Sequence, residues 1–395
     1  MASPVDFGTI FFVQPMGNLG QQLIAALQDG KNQEIDNILR NPHINLISVE
    51  DLGRAFIICV QQTHFGKIFH LPNLQQIPAN GQWGLGHALL KAVETQNHDS
   101  LRLIQDLPSY NAIGANGTWG LGQALKDCIQ KLLQQRSMLD LPSPDPEFFH
   151  AIVEHPHANQ IQFENELSDA IGKLLVLITI QSNGKVHYQY DQRVVHALLH
   201  PQISHLLQPN GQFGLGRVLL NAAYATSPFI VNLILNHSGI FLINSVLTNI
   251  NEPTKFEEDN KLDCFGFTEA IFAAVSKQGS DLQVQKQVVQ SLFNFANKHA
   301  INLYIEGHWG LGVCLTNAVT DNESLVPILL NYPGSNTISA GVLGVALMWS
   351  AIKGHIAAMQ RILQHPNAHQ ISQEAHRSTR KIAQQGGYAN AADLI

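Results

Sequence analysis

Three glycines surround one aromatic residue in "NGQWGLGHALLKA", which starts at Asn80 and runs on into an apolar stretch. The motif returns as "NGTWGLGQALKDC" at Asn116, "NGQFGLGRVLLNA" at Asn210 and "EGHWGLGVCLTNA" at Glu306. Glycines that open a helix can cradle a phosphate, because unpaired backbone amides and the positive end of the helix dipole converge there. A dinucleotide loop, however, needs G-x-G-x-x-G after a strand, and a P-loop needs Gly-Lys-Ser/Thr. The order here is G-x-x-G-x-G with no strand pattern before it. Four copies at repeat spacing fit the corner of a structural repeat instead. In that reading Gly84 and Gly86, Gly120 and Gly122, Gly214 and Gly216, and Gly310 and Gly312 allow a tight turn and close backbone approach. Trp83, Trp119, Phe213 and Trp309 then cover the neighbouring unit.

Histidine and cysteine carry the other available chemistry. His196 and His200 are four apart in "VVHALLHPQISH", a spacing that could place both on one helix face as weak zinc candidates. No acidic or cysteine third ligand accompanies them. His155, His200 and His365 each precede a proline, where an imidazole can bond the loose carbonyls at a helix C-terminus. Cys59, Cys128 and Cys314 fall in slots that alanine fills elsewhere, which reads as core packing. Cys264 ends an acidic stretch without a local histidine base. No Ser-His-Asp neighbourhood, paired-carboxylate motif or kinase signature is present. The expectation is therefore a protein with no catalytic residues, no cofactor and no resident metal.

The elements that must position these residues belong to a repeat. Leu-Gly pairs occur at Leu19-Gly20, Leu52-Gly53 and Leu85-Gly86, 33 residues apart, then at Leu121-Gly122, Leu215-Gly216, Leu311-Gly312 and Leu343-Gly344. Leu167-Ser168 and Phe267-Thr268 are weaker copies. A small residue two positions on and a large apolar one three positions on (Ala88 and Leu89, Ala124 and Leu125, Cys314 and Leu315) make one packed helical stripe. A second signature alternates with the first: "NPHINLI", "LPSYNAI", "HPHANQI", "HPQISHL", "YPGSNTI" and "HPNAHQI" each place Ile or Leu five residues after proline. Proline stops a helix because it lacks an N–H and clashes with the preceding turn. The predicted unit is helix, turn, second helix, proline stop and short loop.

Composition agrees with such an array. The chain has 395 residues, 45% hydrophobic and only 13% charged, against about 25% charged in an average domain. A formal charge of −7 argues against nucleic acid and anionic membranes as partners. Four cysteines do not make a disulfide framework. The opening "MASPVDFGTIFFVQPMG" has no basic leader, and the apolar region 218–247 is broken by Asn221, Pro228, Asn232, Asn236 and His237, so it predicts a buried hairpin and no membrane span. A soluble, cytoplasmic monomer is expected.

The period of 33 and the order of elements resemble ankyrin repeats. "NGQWGLGHA" aligns as a glycine turn followed by Trp83-Gly84-Leu85-Gly86-His87-Ala88 where ankyrin units carry T-P-L-H-x-A, and "SAIKGHIAAMQRILQHPN" is similar to an ankyrin second helix. The resemblance covers 17–395 as about nine units after an N-terminal extension, 1–16, with a capping helix near 373–385. It implies an all-α, ankyrin-like solenoid with reduced or missing β-hairpin fingers. Degenerate units of this kind resemble those in effectors that intracellular bacteria inject into host cells. That implies a protein-protein interaction scaffold with a host protein as partner, located in the host cytosol. Two other classes stay open: an enzyme whose site is built from insertions, and a peptide or small-molecule receptor.

Extra residues fall near 134–146, 181–192, 248–264 and 277–285, the third being the most acidic. Three of the four lie between a first and a second helix. Positions one and five after the unit glycine should face outward along the first helices. That row supplies the candidate partner-binding residues Arg54, His87, Lys91, Gln123, Asp127, Arg217, Asn221, Asn317 and Trp349. It is varied and weakly charged, as suits a protein partner.

Overall fold

The computed structural model describes residues 18–62, 73–136, 146–181, 188–243, 266–277, 279, 281–301, 303 and 310–395. The chain forms two compact units, Met1–Gln162 and Phe163–Ile395. Among the described residues every regular element is helical and no strand occurs.

In the first unit the helices are α1 (Leu19–Gln28), α2 (Asn32–Leu39), α3 (Val49–Gln62), α4 (Leu85–Thr95), α5 (His98–Asp106), α6 (Leu121–Arg136) and α7 (Pro146–Val153). First helices form one layer, α1 on α3, α3 on α4 and α4 on α6, while α2, α5 and α7 back them. The second unit repeats the scheme. Its helices are α8 (Asn165–Gln181), α9 (Tyr188–Leu198), α10 (Leu215–Tyr224), α11 (Pro228–Leu235), α12 (Phe267–Val275), α13 (Leu282–Lys298), α14 (Leu311–Asp321), α15 (Val326–Leu330), α16 (Ala340–Lys353), α17 (Ile356–Leu363), α18 (Gln373–Gln385) and α19 (Ala389–Ala392). Here α8, α10, α12, α14, α16 and α18 stack in one layer and α9, α11, α13, α15, α17 and α19 in the other. The stripe at two and three residues after the unit glycine is the seam between layers: Ala88, Leu89, Ala124, Leu125, Cys314 and Leu315 are all buried.

The proline signature marks a definite structure. After the second helix the chain makes a 3-10 turn, as at Ile44–Leu46, Tyr110–Ala112, Ala158–Gln160, Pro201–Leu206, Pro333–Thr337 and Ala368–Gln370. The apolar residue five after proline closes it and is buried at Ile77, Ile113, Ile161, Leu206, Ile338 and Ile371. The pre-proline histidines work differently from the sequence expectation of a C-terminal cap. Nδ1 of His155 accepts from the His157 N–H at 3.1 Å, and Nδ1 of His365 accepts from the Asn367 N–H at 3.2 Å, so each imidazole caps the start of the 3-10 turn that follows. That fixes the ring proton on Nε2, which donates to Tyr110 O at 2.8 Å and Ser335 O at 2.9 Å in the preceding repeat. Asn41 fills the same slot with Oδ1 accepting from His43 N–H at 2.9 Å.

Some expectations change in detail. The last four of the extra residues near 277–285 are helix, since α13 begins at Leu282 with Asp281 capping Gln283 and Val284 N–H. Residues 137–145, 182–187 and 244–265, which hold most of the other insertions and Cys264, lie outside the described residues, as do 1–17 and Trp309. Described helix does fill the outer parts of two insertions, with α6 running to Arg136 and α9 starting at Tyr188. Cys59, Cys128 and Cys314 are buried free thiols, and burial pushes the Cys59 thiol up to about 12 and those of Cys128 and Cys314 well above their ordinary value. Thiols so shifted are packing atoms, not nucleophiles.

Candidate functional site

The glycine corner closes on itself. Gly81, Gly117 and Gly211 take φ of +98°, +92° and +102°, a left-handed conformation that a side chain opposes. Three residues on, Gly84, Gly120 and Gly214 donate N–H to their carbonyls at 3.0–3.1 Å. The first helical amides then turn back onto the incoming strand of chain: Leu85 and Gly86 donate to Pro78 O and Ala79 O, Leu121 and Gly122 to Gly114 O and Ala115 O, Leu215 and Gly216 to Gln208 O and Pro209 O, all at 2.8–3.0 Å. The donors a phosphate would need are thus already bonded, and the geometry is that of a corner. Gly310 opens α14 in the same extended conformation, with Gly312 buried behind it.

The corner asparagine joins one repeat to the next. Asn80 Oδ1 accepts from Gly114 N–H at 2.7 Å and its Nδ2 donates to Ala112 O at 3.1 Å. Asn116 does the same to Gln162 N–H at 2.7 Å and Gln160 O at 2.9 Å, and Asn210 Nδ2 reaches Leu242 O at 3.0 Å. The side-chain amide stands in for a peptide group across the junction. Asn116→Ala removes two such bonds at a partly solvated site, and a loss of about 1–2 kcal/mol from the first unit is expected in urea unfolding followed by circular dichroism.

Trp83 and Trp119 lie over the residue one after the preceding unit glycine. The Arg54 guanidinium sits 4.9 Å from the Trp83 ring centroid, and the His87 and Trp119 rings stack at 3.8 Å and 27°. His87 also directs Nδ1 at Gln82 O, 2.5 Å away, and burial lowers its pKa. Arg54 and His87 therefore serve junctions between repeats, and His87 is buried where the sequence predicts an outward side chain. Asn221 is likewise buried, and its Nδ2 has no hydrogen-bond partner among the described residues. Asn317 Nδ2 donates to Ser276 Oγ at 2.8 Å, Arg217 is half-buried with its pKa lowered by burial, and Trp349 is half-buried on α16.

Four of the candidate residues converge. His87 and Lys91 of α4 with Gln123 and Asp127 of α6 line an open cleft of about 550 Å³, together with Trp119, Glu94 and Lys131. Lys91 Nζ pairs with Glu94 at 2.5 Å, and Gln123 Nε2 donates to Asp127 at 2.8 Å. Burial raises the Asp127 carboxyl above its usual range despite that bond. Lys131 donates to Glu94 O and, at 3.2 Å, to Val93 O, closing the C-terminus of α4, and burial lowers its pKa. The result is a wall of two cations, two carboxyls, several amides and one aromatic face. Lys131 is four residues beyond Asp127, so it continues the outward row at helical spacing and was open to inference from the sequence.

The other chemical candidates do not assemble. α9 ends at Leu198, so His196 and His200 are not on one helix, and His200 Nδ1 accepts from Gln202 N–H at 3.4 Å as the cap of the next turn. Among the described residues no group of three or more His, Cys, Asp or Glu side chains is placed to hold a metal ion. No helix among them is long and apolar enough to cross a membrane. Comparison with known proteins found no matching family model, curated protein or solved structure.

Proposed function

We propose that this chain is an ankyrin-like helical-repeat scaffold that binds a protein partner without catalysing a reaction. The observation that carries the reading is the cleft between α4 and α6, where the outward row of two neighbouring repeats meets in mixed charge around an aromatic face. Interleaved cations, carboxyls and amides suit the polar, uncharged-on-average surface of a folded protein better than a polyanion. Support for the ankyrin-like assignment comes from the 33-residue period, the paired helices and the layering of first helices on first helices within each unit. The degenerate units and Gln/Asn/His-rich composition support a secreted effector acting on a host protein in the host cytosol.

The test is capture with the full chain. Partner proteins retained from a host-cell lysate by the native chain should be identified by mass spectrometry and then titrated against a variant carrying Lys91→Glu and Asp127→Lys. Reversing both signs preserves net charge and leaves the α4 cap at Lys131 in place. Affinity for the identified partner is expected to fall at least tenfold, about 1.4 kcal/mol. Unchanged affinity in a variant with native thermal stability would remove this face from the reading.

A further inference from the structure

We propose that the cleft between α16 and α18 is a binding site for a tryptophan side chain presented on a peptide. The inference starts from the two ways in which repeats begin. In two units the glycine corner brings an aromatic ring over the residue one after the glycine of the preceding unit: Trp83 covers Arg54 and Trp119 covers His87. Other units open with a serine cap. Ser48, Ser339 and Ser372 accept from Asp51, Val342 and Ala375 N–H at 3.1, 3.5 and 3.2 Å, and no aromatic residue stands at the corner. There the corresponding position of the preceding unit receives no ring: Gln21 is bonded instead to Asp51 at 2.6 Å, and the apolar Val313 and Val345 are left 37% and 44% exposed.

At the junction of α16 with α18 the uncovered position opens into a cleft of about 420 Å³. Gly341, Gly344, Val345 and Met348 form one wall, and Ala375 and Thr379 lie opposite. Gly341 leaves open space, since a Cβ there would meet no atom closer than 4.0 Å. Thr379 is 0% exposed and its Oγ1 has no hydrogen-bond partner among the described residues. An unpaired buried hydroxyl costs about 1–3 kcal/mol, so its presence beneath a cleft points to a hydrogen-bonding group that arrives from outside. An indole meets each demand: a flat apolar face for Val345, a ring for the Met348 thioether, and an N–H for Thr379 Oγ1. Phenylalanine meets only the first two. The ligand thereby supplies at this junction the ring that Trp119 supplies at its own.

This site lies in the second unit and is read out directly, so it stands or falls apart from the cleft of α4 and α6. The experiment uses the full chain with 13C-methyl methionine, five residues in all, the Met348 signal being assigned from Met348→Leu. Three probes are titrated: the blocked peptide NGQWGLGH, its Trp→Phe form, and N-acetyl-tryptophanamide. The tryptophan peptide is expected to move the Met348 methyl upfield in a saturable way, and to bind about three- to tenfold tighter than the phenylalanine peptide. Gly341→Leu fills the cleft and should abolish the shift at unchanged melting temperature. Thr379→Val keeps the fold and should level the two peptides. No shift of Met348, or the same shift in Gly341→Leu, overturns the site. Equal preference in the native protein and Thr379→Val overturns the indole assignment, and equal affinity for the amide and the peptide overturns the peptide.

Discussion

Gly86→Ala is expected to lower the melting temperature of the first unit by up to about 8 °C, whereas the same change at Gly344 raises stability. Helix propensity alone favours alanine by about 1 kcal/mol at both positions. At Gly86, however, an added Cβ would come within 2.0 Å of Trp119 O, and the obstructing atom is backbone held by the next corner. Forcing the repeats apart costs about 1–3 kcal/mol or more, as overpacking does in a well-filled core, and also lifts Trp119 from His87. With about 2–4 °C per kcal/mol for a unit of this size, the net loss is readily measured by calorimetry. At Gly344 the same Cβ meets Ala375 Cβ and Ile371 Cγ2 at 3.6 Å, which is ordinary contact. Gly344→Ala should therefore gain up to about 1 kcal/mol. Two losses of equal size would show that helix glycines matter for some reason other than the approach of the next corner. Gly53 and Gly172, where the Cβ would sit 2.2 Å from Trp83 O and 1.8 Å from Phe213 O, should behave like Gly86.

The second large effect depends on pH. His237 is 4% exposed and its Nδ1 accepts from Gly239 N–H at 3.0 Å, which puts the ring proton on Nε2. Where His155 and His365 donate that proton to a carbonyl of the preceding repeat, His237 Nε2 has no partner among the described residues. Burial pushes its pKa down to about 4 from 6.5. The unfolded chain therefore binds a proton at a pH where the folded chain refuses it, and stability falls as pH drops from 6.5 towards 4. The loss reaches at most about 3 kcal/mol, at about 1.4 kcal/mol per unit of pKa difference. Above pH 7 the contribution vanishes. His237→Asn offers Oδ1 to the same N–H, as Asn41 does in its own repeat, and carries no titrating group. The variant should match the native chain within about 1 kcal/mol at pH 7.5 and exceed it by about 2–3 kcal/mol at pH 4.5, in urea titrations at both values. Parallel loss in both proteins between these pH values would assign the acid sensitivity to other groups.

Much of the fold was legible in the chain because each device is local. A proline five residues before an isoleucine is a stop and an anchor, and the corresponding 3-10 turn with its buried Ile113, Ile161 or Ile338 is what that spacing builds. The small-large stripe at Ala88 and Leu89 is likewise a statement about one helix face. The site was less legible, for a physical reason. Whether His87 faces outward depends on Trp119, 32 positions away, arriving over it, and nothing in "GLGHALLKA" announces that neighbour. The asparagine clamps were passed over for the same cause, since their partners lie 32 to 46 residues further on. The four-residue spacing of His196 and His200 made them only weak zinc candidates, and α9 in fact ends two residues before His200. Lys131 needed only the outward row to be extended by one more turn.

The corner asparagine also orders events in time. Asn80 reaches forward to the backbone of Ala112 and Gly114, never to chain that precedes it, and Asn116 reaches forward to Gln160 and Gln162. On a ribosome adding about 5–20 residues per second, the partner of Asn80, 34 positions on, is made about 2–7 s after Asn80 itself. A repeat with a corner asparagine thus emerges with that side-chain amide unmet until its successor is made. A chain stalled just after Asn80 or Asn116 therefore exposes the polar hand of that corner.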